Sequence, residues 1–282
     1  MGVILDVPDT PENNAEFQHS SGARGDSAFP LVRLVGLAEC GTHAIVAATM
    51  GSWSTGERTL VRRLLPALEP GMLVLADRRF YSYKLWCEVL EVGADLLFRV
   101  TSNMILPVLE VLPDGSYRSV LLDSDIQSQV RRRAKRRARP GDGPLGNPEV
   151  VEAVGTPCRV VEYHVDNGDG PSETFRLVTT ILDHEDAPAV ELAALYSERW
   201  EFEVALDEIE IHQLGQGRVL RSKSPEMVRQ EIWGILLAHY AIRHLMHEAA
   251  DTADLDTDRL SFIRSLRLVR RQITGQAHFS PS

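Results

Sequence analysis

Short apolar runs alternate with polar, turn-rich stretches over the first hundred residues, and long apolar stripes at helical spacing take over after about residue 183. The runs at 31–38 and 44–49, separated by Glu39-Cys40-Gly41-Thr42-His43, predict an antiparallel hairpin of buried strands. Leu60, Leu64, Leu65 and Leu68 predict a helix over 55–68 that Pro70-Gly71 stops. The apolar run at 72–76 ends at Asp77 and predicts a buried strand, followed by a helix over 83–92 and a strand over 95–100. Residues 6–26 are rich in Pro, Asn, Ser and Gly and predict irregular surface chain. From 105 to 182 the pattern is that of β-hairpins, one turning at Pro113-Asp114-Gly115, interrupted by a basic run and a Pro/Gly-rich stretch, as in an insertion. Helices are predicted over 189–211, 225–249 and 256–274, the second with Ser224 as N-cap and Pro225 at its first position.

Charge changes this picture at one place. The formal net charge of -10 over 282 residues argues against a polyanionic partner, yet Arg131, Arg132, Arg133, Lys135, Arg136, Arg137 and Arg139 put seven cations into nine residues, leaving -17 elsewhere (-10 less 7). Such a strip neutralises phosphates and gives salt-dependent, sequence-independent affinity for nucleic acid. A solvated tether has the same composition. The cysteines, Cys40, Cys87 and Cys158, are odd in number and far apart, which gives no ground for a disulfide framework or a CxxC metal knuckle and fits a reducing cytoplasm. Cys40-x2-His43 has zinc-like spacing but no second pair nearby. No apolar run approaches the roughly 20 residues of a membrane span and no signal segment opens the chain, so a soluble, cytoplasmic protein without a membrane partner is expected.

Two segments could carry chemistry. In Tyr196-Ser-Glu-Arg199-Trp-Glu-Phe-Glu203, helical spacing puts a phenol, a guanidinium and a carboxylate on one face, suiting a phosphate and a metal ion. The same spacing describes a solvated face with an Arg199–Glu203 ion pair. Asp77, at the C-terminal end of its strand, stands where an open α/β sheet presents functional groups, or is an ordinary loop Asp. Trp200, Phe202 and Trp233, with Ile232, Ile235 and Leu236, are expected to be helix core.

In this order, Leu75-Ala-Asp77-Arg-Arg-Phe-Tyr-Ser82 and the Y-x2-R-x3-E spacing of Tyr196, Arg199 and Glu203 resemble the insertion-sequence-four-type transposases. The opening GVILDVPDT, the stretch from Ala28-Phe29-Pro30 to His43, and VLRSKSPEMVRQEIWGILLAHYAIR are similar to sequence of the same family, so the resemblance runs along nearly the whole chain. It implies an α/β, ribonuclease-H-like core in 1–104, a β-rich insertion with the basic run in 105–182, and a helical remainder of the core in 183–282. It implies an Asp, Asp, Glu triad in which Asp77 is the second Asp and Glu203 the Glu, both metal ligands. Two Mg2+ ions roughly 3.5–4 Å apart would serve an in-line displacement at phosphorus. Arg199 and Tyr196 would contact the DNA, and the partners implied are double-stranded transposon ends and target, with a homodimer in the synaptic complex and a nucleoid-associated location. The chain departs from the pattern where Met1 stands at the position of the first Asp and Glu210 at that of a Lys, and the family's upstream DNA-binding region is missing. Asp6 and Asp9 are nearby carboxylates that do not match the motif. The expectation is therefore a transposase catalytic region with impaired strand cleavage and transfer, or else an inactive remnant that only binds DNA.

Overall fold

The computed structural model describes residues 2–22, 25–137, 151–165 and 173–276. They form two compact units, Met1–Leu64 with Trp200–Ser282, and Leu65–Arg199.

The first unit opens with β1 (Gly2–Asp6), which pairs antiparallel with β4 (Leu31–Ala38), and β4 pairs with β5 (Ile45–Ser52), the hairpin expected from the sequence. A two-residue pair, β2 (Ser21–Gly22) with β3 (Gly25–Asp26), lies between. The stretch expected to be irregular contains a helix, α1 (Pro11–Phe17). Thr10 caps it by accepting from the Asn13 amide, Pro11 supplies a preset φ, and Phe17 is buried, so a cap and one anchor outweigh the turn-forming composition. Pro66 shortens the helix expected over 55–68: α2 (Glu57–Arg62) gives way to a 3-10 turn at Leu65–Ala67.

The second unit contains a six-stranded mixed sheet. Its order is β6 (Leu73–Ala76), β7 (Asp95–Arg99), β11 (Glu173–Thr179), β10 (Thr156–Val165), β9 (Tyr117–Leu121) and β8 (Glu110–Val111). Only β6 and β7 are parallel, joined through α3 (Tyr83–Val92), which ends on Gly93 in the left-handed conformation that a residue without Cβ adopts freely. Period-two alternation sends Leu96 and Phe98 to one face, where Trp86 of α3 meets Phe98 at a ring separation of 6.1 Å. Leu97 goes to the other, with Val161, Leu177 and Leu192. Both faces are covered, hence the unbroken apolar run in β7. At Gly155 any Cβ would come within 2.4 Å of Val120, so only glycine lets the chain approach β9 there. The expected β-rich stretch also holds α4 (Ser124–Arg137), which carries all of the basic run except Arg139, a residue outside those described.

α5 (Ala189–Ser197) closes the second unit and α6 (Trp200–Asp207) resumes the first. A π-turn at Glu208–Leu214 leads to α7 (Pro225–Thr252), a 3-10 turn at Thr257–Arg259 and α8 (Phe262–Gln276). Leu206, Ile209, Val228, Ile232 and Leu236 pack on the inner face of the three-stranded sheet with Val3, Leu5, Val32 and Leu34. Phe202 and Ile235 join this core, but Trp200 (58% exposed) and Trp233 (43%) do not, contrary to the expectation that they are helix core. Large apolar side chains on the faces of α6 and α7 turned from the sheet stay partly exposed. Among the described residues no helix is long and apolar enough to cross a membrane.

Candidate carboxylate and nucleic-acid site

In the second unit Asp77 directly follows β6, half-buried, its Oδ1 accepting the Arg78 amide at 2.6 Å. Tyr196, 4% exposed, packs against Leu97, Val161 and Leu177 and turns its hydroxyl to the Ala76 carbonyl at 3.5 Å. Burial raises the Tyr196 phenol above its ordinary pKa, the Asp77 carboxylate pushes the same way and Arg199 opposes, so it stays a neutral donor. The Arg199 guanidinium lies 5.8 Å from the centre of the Tyr196 ring. The fold thus brings the tyrosine and arginine of the signature to the strand end that carries Asp77. A cleft of about 310 Å³ nearby is lined by Arg78, Tyr81, Tyr83, Asn103 and, from the first two turns of α4, Ser124 and Gln127. Of the basic run, Arg132 is exposed; Arg131, Arg133, Lys135, Arg136 and Arg137 follow the same helical backbone.

The signature segment is not one continuous helix, as its spacing predicts. The Glu198 amide bonds to the Leu195 carbonyl and the Arg199 amide to that of Tyr196, i to i-3 contacts that tighten the chain and end α5. Glu203, half-buried, stands in the first turn of α6 within the first unit.

Five residues further on, Glu208 opens a buried polar network with no local signature. Glu208, His239 and Arg243 are 5%, 0% and 3% exposed. Glu208 accepts from Arg243 Nε at 2.9 Å and from Arg243 Nη2, and its Oε2 lies 2.9 Å from His239 Nε2. Arg243 Nη2 also donates to His43 Nδ1 at 2.5 Å, and His43 Nε2 lies 2.5 Å from Glu201 Oε2 and 3.4 Å from Asp258 Oδ1. His43, Glu201 and Asp258 have the composition of a metal site, but the Arg243 bond leaves the ring proton on Nε2, where a metal would need the lone pair. The His43 ring is therefore not available for the zinc-like pair with Cys40 considered from spacing. Sequence reading missed these residues; His239 and Arg243, polar at i and i+4 within the apolar stripe of α7, were the available signal.

Asp6 ends β1, and Asp9 lies in the loop before α1. The Asp6 carbonyl accepts from the Leu220 amide, and Asp9 Oδ1 accepts from Asn14. Glu210 lies in the π-turn, where burial first and Asp207 second raise its carboxyl above the usual range.

A family profile described as the transposase DDE domain matches residues 4–241. The chain belongs to this transposase family. Over 281 residues, 99% of its length, it is 29% identical to the transposase InsG for insertion sequence element IS4 of Escherichia coli K12, and it spans 59% of that protein.

Proposed function

We propose that the chain is the catalytic region of an insertion-sequence-four-type DNA transposase with a ribonuclease-H-like core, cutting and joining DNA strands at insertion-sequence ends. What carries the reading is the convergence, within one family-matched unit, of Tyr196 and Arg199 on the strand end bearing Asp77. Asp77 and Glu203 are partly accessible carboxylates, hard oxygen donors that suit Mg2+. They would hold the metal. When bound there, a divalent ion supplies Lewis acidity toward the phosphoryl group and its attacking and leaving oxygens. Arg199 would grip a backbone phosphate, and Tyr196, held neutral, would orient it by donating a hydrogen bond. The basic helix α4 would follow the backbone of double-stranded end or target DNA, with a second copy completing a synaptic homodimer at the nucleoid.

The position matching the first Asp of the triad is Met1, so a polypeptide of these 282 residues taken alone would hold two of the three carboxylates and bind DNA without cutting it. Three proteins test this on end-containing duplex in Mg2+ or Mn2+: the 282 residues, a form extended upstream with Asp at position 1, and that form with Glu203→Ala. Cleavage by the extended form alone is the expected result. Cleavage that survives Glu203→Ala removes Glu203 from the site, and Glu203-dependent cleavage by the 282 residues shows that Asp6 or Asp9 completes it.

A further inference from the structure

We infer that α8 is a second surface for the DNA backbone, separate from the basic run. The inference rests on the DNA-handling reading above but not on the family match, which ends at residue 241, before α8 begins at Phe262. Among its fifteen residues α8 has four arginines and no acidic residue, in a chain of net charge -10. Arg264, Arg267 and Arg271 recur at i, i+3 and i+7, which puts them on one face over about 10 Å of helix. All three are exposed, and among the described residues no carboxylate pairs with them. Arg270 is turned to the Gln213 carbonyl and ties the helix down.

The opposite face is already committed. Phe262 and Leu266, 5% and 6% exposed, pack with Val269 against Ile242 and Met246 of α7. A basic amphipathic helix lies on a lipid surface by inserting its whole apolar face, and here Phe262, Leu266 and Val269 of that face pack within the protein, leaving Leu268 and Ile273 as its exposed large apolar side chains. The outward side carries a row of three guanidiniums, which suits a row of phosphates. The occupant is the phosphate backbone of a DNA duplex, held without regard to sequence.

The test uses the full 282-residue chain and a fluorescent random-sequence duplex, with affinity measured across a salt series. Replacing Arg264, Arg267 and Arg271 by Gln should lower the slope of log K against log salt by about 2.7, since each neutralised phosphate contributes about 0.9. Replacing the same three by Lys should keep the slope. If the Gln triple loses native circular dichroism, the single Arg264→Gln variant is read instead, with an expected drop of about 0.9. A folded Gln variant with an unchanged slope, beside a basic-run variant whose slope falls, overturns this inference and leaves the DNA reading standing. Absence of any salt-dependent binding by the parent chain overturns both. Loss of binding to phosphatidylserine-containing vesicles in the Gln variant with DNA binding intact would make the surface a membrane contact and also overturns the inference.

Discussion

In the second unit the candidate acid Asp77 stands at the end of a strand whose surroundings are apolar, with Leu97, Val161, Leu177 and Leu192 walling the face on which Tyr196 packs. In the first unit Glu203 stands five residues before Glu208, the centre of a buried set of charged and polar side chains reaching through Arg243 to His43. The apolar wall positions by shape, and its attraction has no direction, so its pieces can relax toward one another when one is trimmed. The polar network positions by direction. Glu208 and Arg243 are paired only while both hold their places, and removing one strands a buried charge.

The largest effect that sharpens this contrast is expected at Glu208. Glu208→Ala leaves Arg243 buried and without its main counter-charge and should destabilise the first unit by about 3–5 kcal/mol. Replacing both partners, Glu208→Leu with Arg243→Met, should recover much of that loss, because a well-packed apolar pair avoids the desolvation of two ions. Hydrogen exchange of amides in α6 and α7, compared with those of β7 and β11, reads the two units separately. Equal losses in the single and double variants would mean that the network does not act as a unit.

In the second unit Leu177→Ala, at a fully buried position in the centre of the sheet, should cost about 3 kcal/mol through lost burial and the cavity left behind. The variant should still bind DNA at low temperature, since no directional contact to Tyr196 or Arg199 is removed. A loss above about 5 kcal/mol, outside the range for such truncations, would show that the apolar wall is as intolerant as the polar network.

The same contrast explains what the sequence disclosed. The β4–β5 hairpin, the strand ending at Asp77, α3 and α7 follow from apolar periodicity and end signals, which are local and which the packing here reinforces. Motif spacing singled out Asp77, Tyr196 and Arg199 as candidates, and the fold gathers these three in one unit. The bond between His43 and Arg243 joins residues 200 positions apart, and no local pattern encodes it. Two local errors have local causes. α1 was hidden by turn-forming residues of which one, Thr10, is its cap, and the break after Ser197 depends on two i to i-3 bonds that the 3.6 periodicity does not foresee.

The smallest of the expected effects tests whether the second unit also depends on a polar clamp, away from its apolar wall. Arg159, fully buried, donates to Asp114 Oδ2 at 2.6 Å, to Ser116 Oγ at 2.8 Å, and to the Asp183 and Ala187 carbonyls, while Asp114 accepts the Ala189 amide at the start of α5. The clamp fastens the turn of the β8–β9 hairpin to the helix that presents Tyr196. Burial works to raise the Asp114 carboxyl, but hydrogen bonds from Ser116 and Ala189 and the Arg159 charge overcome it and hold it down at about 2, against an ordinary 3.8. A carboxyl depressed on folding contributes stability in full above its unfolded value, and the contribution fades as pH falls through the folded one. The window therefore lies between about pH 4 and pH 2, and its size is at most about 2 kcal/mol from the depth of the shift. Asp114→Asn should accordingly weaken the second unit by about 1–2 kcal/mol at neutral pH, and the gap to the parent should shrink as both are taken from pH 4 to pH 2. Denaturant midpoints followed by the fluorescence of Trp86, buried in this unit, give the measurement. A gap that stays constant over that range would mean that Asp114 holds the start of α5 by hydrogen-bond geometry alone, and that charge plays no part in how this unit places Tyr196.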